Sequence, residues 1–146
     1  MKKSQSKLKI VIDTNILLSA AIKPNSTASR ALRKAINECD IFISEATFAE
    51  LVEVIQRKKF DAYFTHTEYS RREFLAYFLA FCQKVEISEV ITDCLDPKDN
   101  KFLEVAIVAG AEMLVSGDKK HLLSMNPYRG IKIVTVTEFL AESSPV

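Results

Sequence analysis

The decapeptide LKIVIDTNIL, residues 8–17, decides the fold. An apolar run rich in β-branched residues changes abruptly to a carboxylate, a hydroxyl and an amide at Asp13, Thr14 and Asn15. A second apolar run of helical length follows at residues 16–22. The pattern predicts a buried strand that ends at Asp13 and a helix directly after it. Because ligands of open α/β sheets bind beyond the carboxyl ends of the strands, Asp13 lies where a functional site is expected.

The composition is that of an ordinary globular protein without a strong charge bias. The chain has 146 residues, of which 48% are hydrophobic and 27% charged, and its net charge is +1. We therefore expect one domain, residues 1–146, with a frayed terminus at residues 1–7. The small net charge excludes a global basic field, so any nucleic-acid affinity must come from a local patch.

Cysteine usage and hydropathy indicate the compartment. The three cysteines are widely spaced and form no Cys-x-x-Cys pair, which is typical of reduced thiols inside the cell. The amino terminus lacks a signal-peptide pattern, and no apolar run is long enough to cross a membrane. The sequence predicts a cytoplasmic protein without a membrane partner.

The rest of the chain alternates strand and helix patterns. Further strands are predicted at residues 41–43, 85–91, 113–116 and 131–136. Further helices are predicted at residues 29–39, 44–57, 71–82 and 96–110, and after Thr135. Capping-box spacings occur at Thr47/Glu50 and Ser70/Glu73. Alternating strands and helices predict an α/β fold whose parallel sheet is covered by helices on both faces.

Four acidic residues fall at similar points of successive strand–helix units: Asp13, Glu50, Asp99 and Asp118. In a parallel sheet these points lie on one edge, so the four carboxylates can converge. Each acid also has a purely structural interpretation. Asp13 and Asp118 can cap the helices that follow them, and Glu50 can complete a capping box with Thr47.

Asp99 is the most informative of the four acids. At 100° per residue it lies in line with Leu103 and Ala106, on the apolar face of its helix. A partly buried carboxylate needs a counter-charge or hydrogen bonds, and otherwise takes up a proton. Two like charges ~4 Å apart repel by about 4 kcal/mol at an effective dielectric constant of ~20, so a divalent cation is the expected partner. Oxygen ligands select Mg²⁺ or Mn²⁺, and such a site suits the hydrolysis of phosphate esters.

Four motifs together resemble the PIN domain, and especially the PIN-type toxins of toxin–antitoxin pairs. They are VIDTN at 11–15, AEL at 49–51, DPKDN at 96–100 and VSGD at 115–118. Their order and spacing match from about residue 9 to residue 139. The resemblance implies a three-layer α/β/α sandwich with a mostly parallel central sheet. It also implies a Mg²⁺- or Mn²⁺-dependent endoribonuclease that acts on single-stranded RNA, with an antitoxin protein as partner.

The resemblance also implies roles for individual residues. It places metal binding and catalysis on the four acids Asp13, Glu50, Asp99 and Asp118. Ser116 and Asn15 match polar positions beside the last and first acids, where they would orient carboxylates or water. Independently of the resemblance, Lys119 and Lys120 follow Asp118 directly and are candidate contacts for substrate phosphates.

Other interpretations stay open at this point. A phosphatase of the haloacid-dehalogenase type also starts from a strand that ends in Asp, but it requires a second acid where Asn15 stands. A non-catalytic PIN-like module that binds RNA or protein has the same motifs. The aromatic stripe of residues 74–81 is either core or the interface of a homodimer. Asp96 is expected to cap a helix, and neither His66 nor His121 is assigned to a metal.

Overall fold

Short parallel strands alternate with helices along the chain. The computed structural model describes residues 7–64 and 69–142. Its strands are Leu8–Ile12 (β1), Cys39–Ile43 (β2), Cys82–Lys84 (β3), Met113–Val115 (β4) and Lys132–Val134 (β5). Its α-helices are Thr14–Ile22 (α1), Thr27–Glu38 (α2), Glu45–Ile55 (α3), Tyr69–Phe81 (α4), Asn100–Ala109 (α5) and Val136–Ala141 (α6). The helix and strand boundaries agree with the expected α/β alternation to within a few residues, except around β3.

The strands form one sheet in the order β3-β2-β1-β4-β5, and every pairing is parallel. Ile10 of β1 pairs with Ile41 of β2 on one side and Met113 of β4 on the other. The chain therefore builds outward in one direction from β1 to β3 and in the other from β4 to β5. The order reverses between β1 and β4, which is where ligands bind in sheets of this type.

Two apolar clusters cover the two faces of the sheet. Ile10 and Ile12 of β1 belong to one cluster, which includes buried residues of α1, α2, α3, α4 and α6. Val11, between them, belongs to the other cluster, which includes Phe102 and Leu103 of α5. This alternation follows from the two-residue period of a strand. The arrangement confirms the three-layer α/β/α sandwich with a parallel central sheet.

Side-chain caps fix where several helices begin. Asp13 and Ser26 accept hydrogen bonds from the first turns of α1 and α2. Ser44 and Thr47 form a reciprocal capping box at the start of α3, so the predicted box of Thr47 with Glu50 is wrong. Glu50 is released from any capping role because Thr47 already bonds backward to Ser44.

The predicted strand at residues 85–91 is wrong, and β3 lies before it at Cys82–Lys84. Its neighbour β2 ends at Ile43, where the chain turns into α3. Val85 still donates its N–H to the carbonyl of Ile43, but no strand remains for the residues beyond it. The alternation in the sequence instead reflects Val85, Ile87 and Ile91 packing against the α5 cluster.

Two further predictions concern α4. Ser70 lies inside α4, after Tyr69, so it does not cap that helix. The aromatic stripe is divided, with Phe78 fully buried and Tyr77 and Phe81 exposed.

The frayed terminus falls outside the described residues except for Lys7, and His66 also falls outside them. Within the described ranges, no helix combines the length and apolarity needed to cross a bilayer.

The α5 cluster allows a direct test of the fold. Leu103 is 0% exposed beneath the sheet, whereas Val90 is 81% exposed on the neighbouring segment. We expect Leu103→Ala to lower the free energy of unfolding by roughly 2–5 kcal/mol, because it leaves a cavity in a packed core. Val90→Ala, the matched control, should change it by less than about 0.5 kcal/mol. Urea denaturation of the two variants measures both values, and equal losses would contradict this packing.

Candidate metal centre

The predicted acidic residues lie around the carboxyl edge of the sheet at the reversal of strand order. Asp13 follows β1, and Asp118 follows the adjacent β4. Asp99 lies in the 3₁₀ turn Pro97–Asp99 that leads into α5. Glu50 comes from the middle of α3, which belongs to the opposite face of the sheet. The fold thus brings acids from four separate segments to one edge.

Asp13 is 4% exposed, and both of its carboxylate oxygens accept hydrogen bonds from its own chain. Oδ1 accepts the N–H of Ile16 at 3.1 Å and so caps α1. Oδ2 accepts the Ser116 hydroxyl at 2.5 Å and the Gly117 N–H at 3.3 Å. Burial raises the pKa of Asp13 against the lowering effect of these hydrogen bonds. Asp13 therefore caps a helix and stands in the acidic site at the same time.

Ser116 joins the first and last acids. It is 0% exposed, and its hydroxyl donates to Asp13 while accepting the N–H of Asp118 at 3.0 Å. Ser116 donates its single hydroxyl proton to Asp13, and its hydroxyl oxygen holds the backbone of Asp118 in place. The orienting role of Ser116 toward a bound metal stays a prediction.

The carboxyl groups of Asp99 and Asp118 shift each other's pKa. Burial and the adjacent Asp118 carboxylate raise the pKa of Asp99 to about 7. The hydrogen bond with Asp99, together with the ring and N–H of His121, lowers the pKa of Asp118. Asp99 therefore holds the proton of the pair below about pH 7. Its Oδ2 atom is buried and has no hydrogen-bond partner.

Two residues without a predicted metal role lie beside this pair. The Nδ1 atom of His121 lies 3.1 Å from Oδ2 of Asp118. The backbone N–H of His121 donates to Oδ1 of the same carboxylate. Asp96 caps the 3₁₀ turn, as expected, by accepting the N–H of Lys98. Asp96, Asp99 and His121 each offer a ligand atom, and these atoms lie within 4.8 Å of one another. The three-residue spacing of Asp118 and His121 was the available sequence signal for this neighbourhood.

Glu50 is bound differently from the other three acids. Its Oε1 atom contacts the Nζ atom of Lys101 on α5, in an ion pair that bridges the two faces of the sheet. The side chains of Lys101 and Glu50 are 23% and 28% exposed, respectively. No spacing in the sequence indicates this ion pair, because the pair depends on how α3 packs against α5.

The remaining predicted residues lie at the rim. Asn15 is exposed in the first turn of α1, so its orienting role stays a prediction. Lys119 and Lys120 are exposed in the turn after Asp118, on the same side of the sheet as the acids. Their contact with substrate phosphates stays a prediction.

The donor set fits a divalent cation. Carboxylate oxygens dominate the site, and hard oxygen ligands are those that Mg²⁺ and Mn²⁺ prefer. The buried Oδ2 of Asp99 has an unused acceptor, which is costly unless a proton or a cation satisfies it. Asp99 and Asp118 also repel each other when both are ionised. A cation held between them would relieve both penalties.

Comparison with known proteins now decides the family. Residues 9–120, which contain all four predicted acids, match the PIN domain. This chain belongs to the PIN domain family. The uncharacterized protein MJ1680 of Methanocaldococcus jannaschii is 29% identical over an alignment of 150 positions, which covers 97% of this chain and 95% of that protein. A chain of the crystal structure of VapBC2 from Rickettsia felis, bound to a DNA fragment from their promoter, has the same fold. The TM-score is 0.58 at 18% identity, over 88% of this chain and 98% of that one.

The raised pKa of Asp99 gives this PIN domain a specific pH dependence. The pKa of an ordinary Asp carboxyl is 3.8, and that of Asp99 in the folded protein is about 7. Between these two pH values, the native state therefore binds a proton that the unfolded chain releases. That proton stabilises the fold at low pH, and its contribution is lost as pH rises through about 7. We expect metal-free wild-type protein to lose stability from pH 4.5 to 7.5 relative to Asp99→Asn, whose amide stays neutral.

Thermal unfolding of both proteins in chelator, across this pH range, measures the difference. Added Mn²⁺ at pH 7.5 should raise the unfolding temperature of the wild type more than that of Asp99→Asn, because the metal replaces the lost proton on Asp99. Parallel pH curves for the two proteins would contradict the assignment of the proton to Asp99.

Proposed function

We propose that this PIN domain is a Mg²⁺- or Mn²⁺-dependent endoribonuclease that hydrolyses phosphodiester bonds of single-stranded RNA. The observation that carries the proposal is the convergence of Asp13, Asp99 and Asp118 at the reversal of strand order, with a buried, unpartnered oxygen on Asp99. Gathering these groups costs stability without a cation, so the arrangement is better explained by function than by folding.

The acids would hold the cation, and their neighbours would hold the acids. Asp13, Asp99, Asp118 and Glu50 are the proposed ligands. Ser116 fixes the orientation of Asp13 through the bond to its Oδ2 atom, and His121 does the same for Asp118. A bound Mg²⁺ or Mn²⁺ would supply an activated water and stabilise the charge that develops on the phosphate.

Substrate contacts are proposed for the rim of the site. Lys119 and Lys120 are exposed directly after Asp118, where their ammonium groups can reach phosphates that flank the bond to be cleaved. The small net charge of the protein makes such local cations the main electrostatic attraction for RNA. An edge lined by carboxylates and bordered by lysines suits an extended single strand.

We further propose that the protein is the toxin of a toxin–antitoxin pair. Its motifs resemble those of PIN-type toxins, and it shares its fold with a chain of VapBC2 from Rickettsia felis. An antitoxin protein is the corresponding proposed partner.

Asp13→Asn tests the nuclease proposal. We expect it to lower Mn²⁺-dependent cleavage of single-stranded RNA by about 100-fold or more, the scale on which a single preorganised electrostatic group acts in enzymes. Asparagine also caps helices well, so the variant should remain folded. Asp40→Asn is the matched control, because Asp40 lies near the amino end of β2, away from the site.

The assay uses labelled unstructured and hairpin RNAs with and without chelator, and circular dichroism checks folding. Undiminished cleavage by Asp13→Asn would contradict the proposal. If the wild type binds Mn²⁺ in calorimetry but cleaves none of the RNAs, the alternative of a non-catalytic module that binds RNA or protein is favoured.

The toxin proposal has a separate test in cells. Induced expression of the wild-type chain in a bacterial host should arrest growth and deplete intact RNA, whereas Asp13→Asn should do neither. Growth curves and total RNA profiles measure both effects at matched protein levels. Equal arrest by the two proteins would show that any toxicity is independent of the acidic site.

A further inference from the structure

The ion pair of Glu50 with Lys101 sets this acid apart from the others at the edge of the sheet. The Nζ atom of Lys101 contacts Oε1 of Glu50 and also donates to the carbonyl of Lys98 at 2.7 Å. Lys101 lies in the first turn of α5, two residues after Asp99. The ammonium is therefore held at two points beside a proposed metal ligand.

This pair is more enclosed than the exposed ion pairs of the described chain. The Arg57–Glu53 pair has side chains 47% and 62% exposed, against 23% and 28% for Lys101 and Glu50. Exposed pairs contribute little because water and salt screen them. The lower exposure of Lys101 and Glu50 gives their attraction more weight at this site.

The negative charges of the other acids are stabilised by other groups. Asp13 accepts three hydrogen bonds from its own chain, and Asp118 contacts the backbone N–H and the ring of His121. Glu50 depends on the ammonium of Lys101. The same carboxylate oxygen cannot hold both Lys101 and a metal ion at full strength, because two cations would then share one anionic oxygen.

We propose that Lys101 is a built-in competitor for the metal, which holds Oε1 of Glu50 in the cation-free protein and must be displaced before that oxygen can bind the metal. The inference rests on the proposed metal centre and adds a positioning residue to it. Lys101 thereby weakens cation affinity and makes the full ligand set depend on the concentration of free divalent ion.

Calorimetric titration with Mn²⁺ alone tests this competition without an activity assay. We expect Lys101→Met to bind Mn²⁺ about tenfold more tightly than the wild type, because it frees the Glu50 carboxylate. Lys101→Arg keeps the charge and should bind as the wild type does. Lys98→Met is the matched control, since it removes the same charge nearby without touching Glu50, and it should change the affinity much less.

A double-mutant cycle separates competition from general electrostatics. Glu50→Gln should weaken Mn²⁺ binding only slightly in the wild type, where Lys101 already occupies the carboxylate. In the Lys101→Met background, the same change should weaken binding by about tenfold or more. Thermal unfolding in chelator confirms that each variant is folded before titration.

Two results would overturn the inference. One is Lys101→Met binding Mn²⁺ no more tightly than Lys98→Met, and the other is Glu50→Gln having equal effects in both backgrounds. If these occur while the wild type still binds Mn²⁺ and cleaves RNA, only the competition fails and the nuclease proposal stands. If neither the wild type nor Lys101→Met binds Mn²⁺ at millimolar concentration, the metal centre and the competition fail together. Mn²⁺ binding with the predicted coupling but no RNA cleavage would support the competition and contradict the nuclease.

Discussion

Repulsion among carboxylates at one edge of a parallel sheet is the constraint on which the rest of this structure depends. Like charges at contact distance cost several kcal/mol, so the chain must balance each acid separately. Asp13 is balanced by a hydroxyl and two backbone N–H groups, and Asp99 by a raised pKa of about 7, which lets it hold a proton. Glu50 is balanced by Lys101. These are three different physical solutions, and each leaves a carboxylate that a divalent cation can take over.

The topology explains why these solutions can coexist. Reversal of the strand order places the carboxyl ends of β1 and β4 side by side, so Ser116 can bond to Asp13 across 103 residues of sequence. On the second face, helix α5 brings its first turn to the same edge. Because α3 comes from the first face, the Glu50–Lys101 pair connects the two helical layers there. The site is therefore also a junction between the layers.

Sequence analysis predicted the parts that depend on local pattern. The strand that ends at Asp13, the inward aim of Asp99 and the α/β alternation all follow from side-chain periodicity over a few residues. It failed where a long-range partner decides the outcome. Residues 85–91 alternate like a strand, but β2 ends at Ile43 and offers them no neighbour. Likewise, the ion pair of Lys101 depends on helix packing, which no local spacing encodes. Motif order could place Glu50 in the site but could not reveal that a lysine holds it.

Asp13 shows how folding and function become linked at such an edge. One carboxylate oxygen caps α1, which is a folding role that serine or asparagine performs equally well. The other oxygen accepts from Ser116 and Gly117, which brings the loop after β4 against the end of β1. Only this second role makes use of a full negative charge, because hydrogen bonds to an ionised acceptor are the stronger ones. The charge of Asp13 is therefore unnecessary for the helix cap, and its burial raises its pKa, at a cost to the fold. A cation at the proposed metal centre would lower that cost, because a nearby positive charge favours the ionised form of Asp13.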